Sequence, residues 1–364
     1  MPTLFDPISL GAIEAPNRIL MAPLTRGRAS PGHVANDLMA TYYTQRAAAG
    51  LVITEATGIS RQGLGWPAAP GVWTEAQVEG WKQTTAGVHE AGGRIILQMW
   101  HMGRLVHPDY LDGEPPVSAS ATTAPGHAYT PTGKKDYEQA RALRLDEIPG
   151  LLDDYAKATR NALEAGFDGV QIHAANGYLI DQFLRDGSNL RDDEYGGSPD
   201  NRTRLLAEVA EAVIREAGAD RTSVRLSPNG ETQGVDDSDP ESVFPLAAEK
   251  LNDLGIGFLE LREPGPDGTF GRTDVPKLSP LIRKAFTGPL VLNSDYGSED
   301  GQAALDAGAA DAISFGRPFL ANPDLPHRFR AGLPLNESNM ATWYTPGPEG
   351  YTDYPFAEEA VAAE

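Results

Sequence analysis

The stretch GVQIHAANGYLIDQFL, residues 169–184, begins as a buried strand, with Val170 alternating with Ile172. Within a few residues it then delivers His173, Asn176, Gly177 and Tyr178, before an apolar helical pattern takes over. A strand that hands over to a helix across a turn rich in polar side chains is the repeating unit of an α/β fold. In such folds the functional groups gather where the strands end.

Seven more runs of the same kind lie along the chain: NRILMA (17–22), LVITE (51–55), RIILQM (94–99), SVRLS (223–227), FLEL (258–261), PLVLN (289–293) and AISFG (312–316). They are rich in Val, Ile and Leu and nearly continuous, the pattern of strands covered on both faces in a parallel sheet. Helical stretches separate them. One opens on Thr74 as a cap and stops at Gly92 and Gly93, and the stretches that follow LDEI and SPDN also end on glycine. Eight strand–helix alternations without a break in composition predict a single (β/α)8 TIM barrel over residues 1–364, with a flexible tail from about 355. A doubly wound sheet is the competing arrangement, and eight strands at fairly even intervals favour closure. The segment between Trp100 and Ala142 breaks the rhythm. It is full of Pro, Gly, Ser and Thr, and leaving the end of the third strand it reads as a long loop that lids the barrel mouth.

The totals narrow the function. At 40% hydrophobic and 22% charged residues the chain can build a large core. Its net charge of −21 repels phosphate backbones, so nucleic acid is not an expected partner. No apolar run is long enough to span a bilayer and no basic-then-apolar leader is seen, so no membrane partner is expected and the cytoplasm is the default location. With no cysteine, disulfides, thiolate metal sites and cysteine nucleophiles drop out.

The strand ends define the expected site. The first offers Pro23, Thr25 and Arg26, the second Glu55 and Ala56, and the third Gln98, Trp100 and His101. The fourth offers His173, Asn176 and Tyr178, and the fifth Arg225. The seventh and eighth run into NSDYGS and FGRPFLANP, where this fold commonly binds phosphate; Gly316 would let the backbone approach an anion and Arg317 would supply charge. A helix cap with a surface arginine is the plainer reading of those two residues. The mouth has many neutral donors, few carboxylates and no set spaced for a metal. It suits a planar, phosphate-tethered flavin mononucleotide better than hydrolysis by two acids. GLGWPA (63–68) formally matches a dinucleotide fingerprint but neither follows a strand directly nor opens a helix, so it is set aside.

On this reading His173 and Asn176 can donate to the oxygen of an activated alkene as hydride arrives from a reduced flavin, and Tyr178 can protonate the neighbouring carbon. Each of the three also has a bland reading, as a packed histidine, a plain Asn-Gly turn and a packed tyrosine. A lyase or isomerase acting on a phosphorylated substrate, and a non-catalytic flavin-binding protein, remain alternatives on the same barrel.

The runs LFDPISLGAIEAPNRILMAPLTR, HAANGYLIDQFLRDGSNLRDDEYGGSPDNRTRLL, FGRPFLANPDLPHRF and EGYTDYP make the chain resemble the old yellow enzyme family of flavin-dependent ene-reductases, of the N-ethylmaleimide and xenobiotic reductase type, over almost its whole length. The resemblance implies non-covalent FMN, NADPH or NADH as hydride donor, and small activated alkenes (enones, maleimides, nitroalkenes) as substrates of a ping-pong cycle in a monomer or small homo-oligomer. It implies that Thr25 meets the flavin O4, that Pro23, Leu24, Ala56 and Gln98 contact the ring, and that Arg225 meets its N1–O2 edge. Gly316 and Arg317 would hold the phosphate, and Trp66, Trp100 and Tyr344 would line the substrate pocket with His173 and Asn176. Ser294 and Asp295 depart from the small residues usual in the family; a backbone N–H there can still reach the phosphate, so Asp295 is expected to bind it through the main chain while its side chain turns away.

Overall fold

The computed structural model describes residues 1–357. The anticipated tail lies for the most part outside the described residues. All eight expected strands form: β1 (Ile19–Met21), β2 (Val52–Ile53), β3 (Ile95–Trp100), β4 (Gly169–Ala174), β5 (Thr222–Leu226), β6 (Phe258–Arg262), β7 (Leu290–Asn293) and β8 (Ala312–Phe315). Each pairs in parallel with the next, and β8 pairs with β1, so the sheet closes into a barrel and leaves no edge. A helix follows each strand: α1 (Asp37–Thr44), α2 (Glu75–Glu90), α3 (Ile148–Glu164), α4 (Arg204–Ala217), α5 (Pro240–Asp253), α6 (Ser279–Ala285), α7 (Ser298–Asp306) and α8 (Leu325–Ala331). Thr74 caps α2 in a reciprocal box with Gln77, and Gly218 ends α4. None of the described helices is long and apolar enough to cross a membrane.

The period of two along each strand sorts residues between two environments. Ile95, Leu97 and Met99 of β3, Val170 and Ile172 of β4, Val224 and Leu226 of β5, and Leu259 and Leu261 of β6 belong to the layer packed against the helices. The alternate positions point into the barrel. Its lower half is apolar: Leu20, Ile53, Ile96, Phe258, Val291 and Ala312 pack with Leu10 and Ile13. Leu10 and Ile13 come from an N-terminal hairpin, Ile8–Leu10 with Ile13–Ala15, that plugs the bottom and was not anticipated from sequence.

The upper half of the interior is polar. Gln98 Nε2 donates to Gln171 Oε1 at 2.8 Å, and Gln171 Nε2 donates to Glu260 Oε2 at 2.9 Å. Glu260 Oε1 is paired with Arg225 at 2.7 Å, and Arg225 also donates to Asn293 Oδ1 at 2.7 Å. Glu260 is fully buried.

The segment after β3 carries more structure than its composition suggested. It contains a hairpin, His127–Thr130 with Gly133–Asp136, and its ends are tied by a short parallel pairing of Val117–Ser118 with Arg141–Ala142. The GLGWPA segment forms turns, as its position implied. Its glycines answer to packing: a Cβ at Gly63 would meet the His101 ring at 2.6 Å, and one at Gly65 would meet the Val106 backbone at 2.8 Å.

Glu260→Ala would leave the Arg225 guanidinium buried without its carboxylate. Breaking such a pair costs about 3–5 kcal/mol, and urea unfolding of parent and variant is expected to show a loss of that order. A loss under about 1 kcal/mol would mean that the network is not what holds the upper barrel.

Candidate active site

β4 ends at Ala174, and the chain then turns through Asn176 and Gly177, both left-handed at φ 59° and 78°. Asparagine and glycine are the residues that visit this region at least cost. The turn is tied from several sides. Asn176 N–H donates to Ser227 Oγ at 2.7 Å and Gly177 N–H to Asp181 Oδ2 at 2.8 Å, while Gln182 Nε2 reaches Gly177 O at 2.8 Å. Asp181 is itself fixed by a buried ion pair with Arg185, 2.8 Å. Tyr178 then starts the short helix Leu179–Leu184, its ring edge-on to Trp100 at 5.0 Å and to His173 at 4.9 Å between centroids. Imidazole and phenol therefore touch at one strand's exit, with Asn176 on the turn between them.

Asn176 and Tyr178 border a cavity of about 730 Å³ above the polar half of the barrel, within the range of cofactor and ligand sites. Pro23, Leu24, Thr25, Trp66, Trp100, Asn176, Tyr178, Arg225, Asp295, Gly316, Arg317 and Tyr344 line it, as anticipated from sequence. His173, Ala56 and Gln98 are buried behind that lining. The Gln98 side chain is committed to Gln171, so its part in the site is to extend the polar floor.

At the phosphate-type corner the Asp295 carboxylate is paired with Arg317. Ser294 and Asp295 are both left-handed, at φ 125° and 55°, a conformation that favours glycine. Gly316 caps the short helix Arg317–Ala321, and a Cβ there would meet Leu24 Cδ2 at 3.3 Å. Arg46, fully buried, holds that helix by donating to Phe319 O and Leu320 O, both at 2.9 Å.

Arg26 is buried and serves the scaffold. With Arg28 it donates to the backbone carbonyls of Trp343, Thr342 and Gly350, while Tyr351 stacks on Tyr42 at 4.0 Å. This ties the C-terminal segment across the mouth and delivers Trp343 and Tyr344 to the cavity. Trp66 lies edge-on to Tyr344 at 5.6 Å and to Tyr129 of the hairpin at 5.7 Å, so three separate loops meet over the entrance. Glu55, at the end of β2, accepts from the backbone N–H groups of Arg26 and Gly27.

Arg262, Asn293, Phe270 and Trp343 also line the cavity and escaped the sequence reading. Polar residues at alternate positions of a buried strand were the available signal for Arg262 and Asn293. Phe270 and Trp343 arrive on loops, whose course no local pattern fixes.

Burial dominates the electrostatics. It pushes the Tyr178 phenol above its usual 10, so the hydroxyl is a proton carrier throughout the neutral range. Burial, then Arg225 and Arg262, hold His173 well below its usual 6.5, so the imidazole is neutral. Among the described residues its Nδ1 is buried without a partner, as are Arg225 Nε and Trp100 Nε1. His101 is pulled down to about 3 by burial. Its Nδ1 accepts the Gly103 N–H at 3.1 Å, a structural role.

Two neutral buried histidines have a consequence for stability. The unfolded chain takes up a proton at each near pH 6.5, and the folded chain does so only far lower. Stability is therefore full above about pH 7 and falls from pH 6.5 toward about pH 3, by up to about 1.4 kcal/mol per pH unit for each histidine. Urea midpoints at pH 8, 6 and 5 check this; midpoints that stay level across that range contradict it.

The sequence profile of the NADH:flavin oxidoreductase / NADH oxidase family matches residues 3–336. The structure of an old yellow enzyme homologue from Zymomonas mobilis superimposes with a TM-score of 0.96 at 64% identity, covering 97% of this chain and 99% of that one. Morphinone reductase superimposes at 0.95 with 44% identity, covering 100% and 98% of the two chains. Putative 12-oxophytodienoate reductase 5 of Oryza sativa subsp. japonica is 46% identical over 354 residues, 96% of this chain and 93% of that protein. The chain belongs to the NADH:flavin oxidoreductase / NADH oxidase family, the old yellow enzymes, and is an oxidoreductase of this FMN-binding family.

Proposed function

We propose that the protein reduces the C=C bond of α,β-unsaturated carbonyl or nitro compounds, with non-covalently bound FMN and with NADPH or NADH as hydride donor. The observation that carries this is the turn at residues 173–178, which sets a carboxamide and a protonated phenol on the lining of a single cavity, with a neutral imidazole packed against the phenol. Solved structures of morphinone reductase include a complex with tetrahydroNAD, which supports a nicotinamide donor at the same kind of site.

The residues present fit FMN. Arg225 holds a buried Nε–H without a partner, and Gly316 leaves its backbone bare toward the cavity beside Arg317. Thr25, Pro23, Leu24 and Ala56 would hold the ring, Gln98 would support it through the polar floor, and Arg225 would face its electron-rich edge. Gly316 and Arg317 would hold the phosphate with the Ser294–Asp295 segment, Arg317 releasing Asp295 as it does so. When bound, FMN supplies the hydride chemistry that no side chain offers.

The chain's own groups do the rest. Negative charge builds on the carbonyl or nitro oxygen in the transition state, and donors aimed there lower the barrier more than the same donors in water. His173 and Asn176 are those donors. Tyr178 gives its proton to the α-carbon, and its raised pKa keeps that proton available at neutral pH. Trp66, Trp100 and Tyr344 wall the substrate side and exclude water.

The test is a visible spectrum of the purified protein, followed by anaerobic titration with NADPH and then with 2-cyclohexenone. A yellow protein bleached by NADPH and recoloured by the enone is expected. A folded protein that carries no chromophore and takes up none when offered FMN overturns the proposal. Tyr178→Phe is expected to keep bleaching by NADPH and to lose most of the recolouring, about 10²-fold or more, the scale of a lost general acid.

A further inference from the structure

We infer that Arg262 is a positioning residue that fixes the Asn176 carboxamide with its NH2 group turned into the cavity. This rests on the donor role of Asn176 proposed above.

A hydrogen-bond account of Asn176 leaves a single group free. The backbone N–H donates to Ser227 Oγ at 2.7 Å, and the backbone carbonyl accepts from Gln233 Nε2 at 2.9 Å. Oδ1 accepts from Arg262 Nη1 at 3.2 Å. What remains is Nδ2 with its two hydrogens, on a residue that lines the cavity. An asparagine amide is nearly symmetric in shape, so packing alone does not decide which end faces a substrate. A guanidinium does decide it, because it has only donors: the oxygen turns to Arg262 and the NH2 turns away. The reversed amide would set its NH2 against the guanidinium and its oxygen against an oxygen gaining negative charge, unfavourable at both ends.

Arg262 is built for the task. It ends β6, and its side chain is steadied by donation from Nη2 to Phe270 O at 2.7 Å. Gly271 is the neighbour that gives it room, since a Cβ there would lie 3.1 Å from Nη2. Both acceptors are neutral oxygens, so no carboxylate competes for the guanidinium. Burial and the nearby Arg225 lower its pKa to about 10, which leaves it fully protonated at neutral pH.

Phenol, whose oxygen resembles the enolate, is the probe, titrated into the FMN-loaded protein while the flavin spectrum is followed. Arg262→Met is expected to weaken phenol binding about tenfold or more, and Arg262→Lys, still a cationic donor, to stay within about threefold of the parent. Arg262→Leu takes the place of the Met variant if the latter does not retain FMN. Because Arg262 acts through Asn176, adding Arg262→Met to Asn176→Ala is expected to change binding less than twofold. Parent-like binding in the Met variant, or a full additive loss in the double variant, overturns the inference while leaving the donor role intact. Parent-like binding in Asn176→Ala alone removes the donor role itself, and the positioning role with it.

Discussion

The buried pair between Glu260 and Arg225 is the constraint around which the upper barrel is arranged. Two opposite charges inside a closed sheet are tolerable only when their remaining donors and acceptors are matched. Gln171, Asn293 and Ser314 do most of that matching, leaving the Arg225 Nε–H, and Gln98 extends the chain of bonds to β3. The result is a polar shelf above an apolar plug. A planar ligand with carbonyls and ring nitrogens can lie on such a shelf, whereas a wholly apolar barrel would exclude it. Arg225 serves both levels, paired below with Glu260 and lining the cavity above.

A second layer of buried charge holds the loops. Asp181 and Arg185 fix the turn that presents Asn176 and Tyr178. Arg26 and Arg28 draw the C-terminal segment over the mouth, and Arg46 holds the short helix that begins with Arg317. These arginines work through backbone carbonyls, so they position main chain whatever side chains it carries. The donors proposed to meet a substrate are thus neutral, while the charges that fix the turn are set one step back. Neutral donors can tighten on a developing negative charge without binding an anion strongly in the ground state, which is the difference that accelerates a reaction.

Much of this was legible in the chain itself. Eight Val/Ile/Leu-rich runs, each followed by a helical stretch, specify a parallel closed sheet, because only covered strands tolerate apolar residues on both faces. The turn at 173–178 was readable because Asn-Gly and the polar residues flanking it stand out against a buried strand. Harder to see were Glu260, Arg262 and Asn293: each sits at an inward position whose polarity makes sense only once the partner across the barrel is known. The N-terminal plug hairpin, the lid hairpin around Tyr129, and the delivery of Trp343 and Phe270 were not legible. Those segments take their places from contacts far away in sequence.

Sequence alone therefore determined the barrel, the order of its eight strand–helix units and many of the strand-end residues at its mouth, since period, glycine placement and strand-end chemistry are local properties. Tertiary structure decided which groups are spent on each other and which are left for a ligand. Gln98 is absorbed into the floor, Arg26 into the scaffold and His101 into a loop, while the Asn176 NH2 stays free. That division follows from hydrogen-bond pairing across strands, and pairing is settled only when the sheet closes.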